Sequence, residues 1–236
     1  MIVCARKARE MLRYWMELAD VRPRRSFGLN GLDLKLHDHI RFRNGFFVEA
    51  GGNDGVAQSN TLYFERYHGW RGLLIEPVPE LAAQCKSNRP KSIVEQCALV
   101  SRTFSEPVIE IQYCNLMSLI RGARGSAVAD EAHLAEGRKY LSSGDKPYSV
   151  KVPAITLSSV LDSHGVQRVD LLSLDVEGYE AEVLRGLDFD RHAPRFIVVE
   201  ANDPDDVEET LAGRYDLVTQ ISHHDRLYRL KDKLVR

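Results

Sequence analysis

The sequence predicts an α/β fold organised around a mostly parallel β-sheet. Three observations carry the prediction. From Phe46 onward, short apolar runs of strand length alternate with segments of helical pattern, the rhythm of repeated βα units. The runs are apolar throughout rather than alternating, as in strands covered on both faces. Four of them end in an acid, Glu49, Glu76, Asp175 and Glu200, at equivalent places in successive units. The chain has 236 residues, of which 44% are hydrophobic and 28% charged, enough to bury a substantial core. That length suits one large domain with an accessory part: a basic helical segment over residues 1–30, then a body over 31–236 with an insertion at about 101–153.

The elements follow in order. Residues 1–25 hold seven Arg or Lys against three acids, although the whole chain has a formal net charge of −2. Met11, Leu12, Trp15, Met16 and Leu18 interleave with those charges at helical spacing. An amphipathic helix is expected there, packed on the body with a solvated basic face or in peripheral contact with a membrane surface. Phe46 to Val48 is the first strand and stops in the turn Glu49-Ala50-Gly51-Gly52-Asn53-Asp54-Gly55; a helix is expected over Asn60 to Tyr67. Gly72 to Ile75 is the second strand, ending at Glu76-Pro77. Pro79 to Asn88 fits a helix, because Pro is tolerated in a first turn and Leu81, Ala82 and Cys85 share a face. Ser92 to Val100 reads as a single third strand. Between Ser101 and Pro153 the rhythm breaks: Val108 to Tyr113 is strand-like and Ala127 to Leu141 is a polar helix, the place for a substrate-binding insertion. Leu157 to Ser163 is helical and leads into a buried strand, Val169 to Leu174, after which Asp175-Val176-Glu177-Gly178 opens another helix. Phe196 to Val199 is the next strand. Leu217 to Ile221 and Leu227 to Leu230, split by His223-His224-Asp225, make a closing hairpin.

Parallel sheets bind ligands beyond the carboxyl ends of their strands, so the four strand-end acids are expected to share one polar crevice. The glycines of the first turn let the backbone bend sharply and approach a ligand closely, but they do not form the GxGxxG pattern that a pyrophosphate needs at a helix N-terminus. An acidic strand end suits a positively charged ligand instead. Glu76 ends the neighbouring strand, where an acid accepts hydrogen bonds from the hydroxyls of a ribose. Together these residues describe a cationic nucleoside such as S-adenosylmethionine. Gly51, Gly52, Asn53, Asp54 and Pro77 would line it, and Ala98 and Leu99 its base; Ser59 and Asn60 are expected to help start a helix, with contact to the cofactor carboxylate as the alternative. Asp175 is the first candidate to orient or deprotonate an acceptor hydroxyl, with His223 and His224 as fallback bases. A metal-assisted alternative takes Asp175, Glu200 and Asn202 as oxygen ligands of the kind Mg²⁺ accepts. His37-Asp38-His39 would place two imidazoles on one face of a strand, but without a third ligand nearby a structural or surface role is favoured. Trp70 and Tyr67 are expected to pack, and Ser118 and Tyr148 to contact the acceptor.

Other classes are disfavoured. A near-neutral charge balance gives no cationic field for nucleic acid. Apolar runs such as Phe196 to Val199 fall far short of the about eighteen residues of a membrane span. The basic N-terminal stretch lacks the pattern of a secretory signal, so export is not expected. Cys4, Cys85, Cys97 and Cys114 form no CxxC pair or zinc spacing, which is the usage of reduced thiols in the cytoplasm. No residue decides between a monomer and a homodimer.

The runs FFVEAGGNDGVAQSNTLYFE, GWRGLLIEPVPEL and ITLSSVLD…VDLLSLDVEGYEAEVLRGL resemble the FkbM family of S-adenosylmethionine-dependent methyltransferases, over about residues 27–230. The resemblance implies a Rossmann-like class I methyltransferase fold: a mostly parallel seven-stranded sheet, helices on both faces and an antiparallel last strand. It also implies O-methylation of sugar-containing or polyketide products. Glu49 and Gly51 match the motif that holds the methionine end of the cofactor, Glu76 the ribose-binding acid, and Asp175 with Glu177 the acidic pair of the DxEG motif near the reaction centre. Gly52 stands where Ala is usual and Ser173 where Lys is frequent, which leaves any role of that Lys unsupported. The expected protein is thus a cytoplasmic O-methyltransferase acting on a small-molecule or glycan acceptor. Two alternatives are a catalytically silent S-adenosylmethionine-binding module that works through partners of the N-terminal helix, and an NAD-dependent oxidoreductase, against which the missing GxGxxG counts.

Overall fold

The computed structural model describes residues 2–19, 21, 23–114, 118–120, 126–140 and 147–234; Asp20, Arg22 and Leu141 of the expected elements lie outside them. Helix α1 (Ile2–Leu18) lies against helix α3 (Leu62–His68). The Tyr14 hydroxyl donates to the Arg66 carbonyl at 3.2 Å, and the fully buried Glu17 carboxylate accepts from Tyr67 Oη at 2.5 Å and from Arg13 Nε at 2.7 Å. Met11, Leu12 and Trp15 stay exposed on its outer side. Helix α2 (Leu32–His39) follows. It corrects the expectation of a strand at His37-Asp38-His39: Leu32, Leu36 and Ile40, four residues apart, are all buried and fix a helical period. The two imidazoles part company, since His37 packs on Tyr63 and His68 while His39 is exposed.

The first sheet alternates strands and helices: β1 (Phe46–Ala50), α3, β2 (Arg71–Ile75), α4 (Pro79–Asn88) and β3 (Ile93–Glu95). Strand β4 (Ala98–Val100) then leaves that sheet, and the insertion adds β5 (Val108–Tyr113), β6 (Leu119–Ile120), α5 (Ala127–Gly137) and β7 (Tyr148–Thr156). The chain returns through α6 (Leu157–Ser163), β8 (Leu171–Leu174), α7 (Glu180–Arg185), α8 (Phe189–His192), β9 (Phe196–Glu200) and α9 (Pro204–Leu211), and ends on β10 (Tyr215–Gln220) and β11 (Asp225–Leu230). Among the described residues the main sheet has seven strands in the order β10-β11-β9-β8-β1-β2-β3. Strand β1 is flanked by β2 and β8, both parallel to it, so strand order reverses there. Strand β11 is antiparallel to β9 and to β10. This is a Rossmann-like sheet with an antiparallel last strand.

Ser92 to Val100 is not one strand. β3 pairs with β2, the chain steps out at Gln96, whose side-chain amide donates to the Pro77 carbonyl at 3.0 Å, and β4 joins a second sheet of order β4-β7-β5-β6.

Strand parity divides the core. Val48, Ala50, Leu73, Ile75, Leu172 and Leu174 face one layer with Val160, Leu161, Val183 and Leu184 of α6 and α7. Phe47 and Leu74 face the other with Leu36, Phe64, Trp70 and Cys85. Each buried Val, Leu, Ile or Phe among them contributes roughly 1.5–3 kcal/mol by leaving water.

Candidate active site

The C-terminal ends of β1, β2, β8 and β9 open into a cavity of about 600 Å³, within the range of small-molecule sites. The turn after β1 forms its floor. Gly51 and Gly52 N–H both donate to the Ile75 carbonyl, at 3.0 and 3.1 Å, strapping that turn to the end of β2. Gly51 has φ +84°, and a Cβ there would lie 1.8 Å from the Asp175 carbonyl oxygen, so only glycine lets the β1 and β8 ends meet. Glu76 lines the cavity and is 5% exposed; its Oε2 accepts from Asn53 N at 2.8 Å and its Oε1 from Val78 N at 2.9 Å. Burial pushes its carboxyl up to about 7, against the opposing pull of those two N–H groups. Both oxygens keep further acceptor capacity.

Asp175 and Glu200 follow the paired residues Leu174 of β8 and Val199 of β9, and both line the cavity. Burial, then the nearby Glu200, Glu177 and Glu180, hold the Asp175 carboxyl well above the usual carboxylate range. Glu200 is raised as well, by burial and then by Glu177 and Asp225. Glu177 has φ +59°, an unusual backbone for a non-glycine residue, on a loop that Glu180 braces by accepting from Val176 N at 3.2 Å and Gly178 N at 2.9 Å. Opposite stands His133 of α5, 9% exposed, with Nε2 3.2 Å from Glu177 Oε2. The contact is close but misaligned, and no good hydrogen bond reaches that buried nitrogen.

Of the residues expected at the site, Gly51, Gly52, Asn53, Ser59, Glu76, Pro77, Ala98, Leu99, Asp175, Glu177, Glu200 and Ser118 line the cavity. Glu49 does not, which corrects its assignment to the cofactor. It shares the parity of Phe47 and sits behind Ser59, which does line the cavity: its buried carboxylate accepts from Ser59 Oγ, Asn60 N and Thr61 Oγ1 at 2.6–3.1 Å, with Arg89 3.7 Å away. Asn60 is likewise turned inward, donating to Ser173 Oγ at 3.2 Å. Asp54 forms the turn, accepting from Val56 N and Ala57 N at 2.8 and 2.7 Å, and does not line the cavity. His223 and His224 are exposed on the β10–β11 turn, outside the lining. Tyr148 reaches Glu80 at 2.9 Å rather than the cavity. Asn202 is exposed and outside the lining, so of the three oxygen residues taken as magnesium ligands only Asp175 and Glu200 meet at the cavity. Among the described residues no group of three or more His, Cys, Asp or Glu could hold a metal ion.

Sequence reasoning missed His133, together with Ile111, Leu119 and Ile120, which form an apolar wall from the insertion. No spacing in the sequence ties that segment to the strand ends.

The family model described as the methyltransferase FkbM domain matches residues 49–230. The methyltransferase sdnD of Sordaria araneosa is 30% identical over 181 residues, spanning 68% of this chain and 68% of its own length. Among solved structures, methyltransferase FkbM from Methylobacillus flagellatus KT is 14% identical over 79% of this chain and 43% of that one, with a TM-score of 0.45. A TehB-like SAM-dependent methyltransferase from Corynebacterium glutamicum is 12% identical over 96% of this chain and all of that one, with a TM-score of 0.44. On the match to the family model and the curated relative, this chain belongs to the FkbM methyltransferase domain family.

Proposed function

We propose that the protein is an S-adenosylmethionine-dependent O-methyltransferase acting in the cytoplasm on a hydroxyl of a sugar or glycan. The observation that carries the reading is that Glu76, Asp175, Glu177 and Glu200 open on one cavity beside the Gly51-Gly52 turn. Bound S-adenosylmethionine would supply an electrophilic methyl group on a positively charged sulfur. Glu76 would accept the two ribose hydroxyls, and Ile75, Leu81, Ala98 and Leu99 offer an apolar slot for a flat base. The backbone of Gly51, Gly52 and Asn53 would hold the methionine end, and the acids at the β8 and β9 ends would balance the positive charge in a site of low dielectric.

On the acceptor side, Glu177 and His133 offer hydrogen-bonding groups to a hydroxyl, and Asp175 is placed to orient it and, once ionised, to take its proton. The wall of Ile111, Leu119 and Ile120 suits the apolar face of a sugar ring. Cys85, Cys97 and Cys114 are free and buried, which favours a reducing compartment. Calorimetric titration with S-adenosylhomocysteine and with NAD tests the donor half. Binding of NAD alone would overturn it. Release of S-adenosylhomocysteine over a panel of sugars, followed by mass analysis of the product, tests the acceptor half; methylation found only on nitrogen or carbon would overturn that.

A further inference from the structure

An amphipathic helix that packs on its own domain turns its apolar stripe inward. Helix α1 does the reverse. It meets α3 through the Tyr14 hydroxyl and the fully buried Glu17 carboxylate, with the Arg66 guanidinium 4.8 Å from the centre of the Tyr14 ring. Met11 and Leu12 stand one turn before Trp15 on the outer side, and the three are 59%, 63% and 61% exposed. Val21, just past the helix, is exposed as well. Within the helix Glu17 pairs with Arg13 at 2.7 Å, which leaves Arg6, Lys7 and Arg9 against Glu10 in its sequence. The basic character runs on beyond it. Arg24 Nη1 lies 3.5 Å from Nε2 of His68, the last residue of α3, and the His68 carbonyl accepts from Asn44 N at 3.0 Å. Asn44 shares a groove at the amino-terminal ends of β1 and β2 with the exposed Arg43, Arg71 and Arg168. Asp170 is the one acid among the described residues that line this groove, and it is buried and held by Arg168 at 2.6 Å.

We propose that α1 is a docking helix for a bilayer surface of anionic phospholipid: Met11, Leu12 and Trp15 enter the boundary between headgroups and acyl chains while the bases around them meet lipid phosphates. The occupant follows from the pairing of the two features. An apolar stripe that includes Trp, set among Arg and Lys, is the composition of a helix that lies in a membrane interface. A second copy of this chain would cover the stripe but would bring the same bases against these, so the charge that favours a phosphate surface opposes self-pairing. Three apolar side chains and a few bases give reversible, salt-sensitive attachment and not a permanent anchor. The inference does not depend on which methyl donor or acceptor the cavity takes.

The chain carries its own reporter. It has two tryptophans, of which Trp70 is buried against Phe42 and Phe64, so a change in emission on lipid binding reads Trp15. The full chain is mixed with vesicles of phosphatidylcholine and phosphatidylglycerol, and with vesicles of phosphatidylcholine alone, then followed by sedimentation and by fluorescence with acrylamide quenching. With the mixed vesicles the expected result is pelleting, a blue shift and loss of quenching; raising the salt concentration about tenfold should release most of the bound protein. Leu12→Gln changes an exposed side chain, so thermal unfolding should stay as in the wild type while the partition coefficient falls about tenfold. Absence of both pelleting and shift with the mixed vesicles overturns the inference, as does a folded Leu12→Gln variant that partitions like the wild type. Equal binding to both kinds of vesicle overturns the anionic surface as the occupant. A blue shift that grows with protein concentration in the absence of vesicles gives the stripe to a second copy and overturns the inference too.

Discussion

Replacing Glu76 by Gln tests the proposed ribose contact. In the wild type the carboxyl group is 5% exposed and already accepts from two backbone N–H groups, so a ligand hydroxyl meets a fixed acceptor in a dry setting. An amide in its place loses one acceptor and turns an NH₂ toward either Asn53 N–H or Val78 N–H. Hydrogen bonds to charged groups are worth roughly 1.5–3 kcal/mol, so the dissociation constant of S-adenosylhomocysteine should rise about 10- to 150-fold. The pH dependence gives a second arm. Because burial lifts the Glu76 carboxyl to about 7 in the free protein and ribose hydroxyls donate to its ionised form, affinity must fall as pH drops through that value. Between about pH 6 and 8 the ionised fraction goes from roughly one tenth to nine tenths, so wild-type affinity rises about tenfold; the variant should show no such rise. Calorimetric titration across that range measures both effects, with thermal unfolding to confirm that the variant is folded. An unchanged affinity, or a variant with the wild-type pH profile, would show that the ribose lies elsewhere.

Gly51→Ala should abolish detectable S-adenosylhomocysteine binding, because the new Cβ would lie 1.8 Å from the Asp175 carbonyl and force the β1 and β8 ends apart; wild-type affinity in calorimetry would refute this. Arg89→Met removes a fully buried guanidinium that donates to Glu65, the Gly55 carbonyl, Ser59 and Thr61 and lies 3.7 Å from Glu49. Leaving those carboxylates without it should cost about 3–5 kcal/mol in denaturant unfolding, and a loss below about 1 kcal/mol would mean that Arg89 is dispensable to the fold. His133→Ala should leave S-adenosylhomocysteine affinity within about twofold while lowering kcat/KM for the acceptor about tenfold or more. A variant equally active on every accepted sugar would remove His133 from the acceptor side.

The strand ends were legible because a parallel sheet turns an acid after an apolar run into a position in space, and Glu76, Asp175 and Glu200 come to one cavity as that rule requires. Glu49 obeyed the same pattern but does not line the cavity, because its carboxylate stands behind Ser59. Its place in β1 gives it the parity of Phe47, and the Ser59-Asn60-Thr61 segment and Arg89 supply the partners that make a buried carboxylate tolerable there. The clue lay in Arg89 itself, a charge at the end of an amphipathic helix with no acid near it in sequence. At His37-Asp38-His39 the two-residue repeat of histidines masked the four-residue repeat of Leu32, Leu36 and Ile40, which burial then decided. The break within Ser92 to Val100 has no local signal, because both halves are apolar and only pairing with β2 or β7 separates them. His133 was out of reach for a similar reason: its neighbour Glu177 is 44 positions away, and only the fold of the insertion brings the two within 3.2 Å.

Strand β7 has a division of labour along its nine residues. Tyr148 to Pro153 ladder with β5, and Ala154 to Thr156 ladder with β4 immediately before the chain enters α6. The apolar wall that the insertion adds to the cavity therefore projects like a cantilever from a root clamped beside Ala98 and Leu99. A lineage that needs to modify a different molecule has only to redraw the outer span. Grafting that span from a relative should transplant acceptor choice while the machinery that grips the methyl source stays untouched.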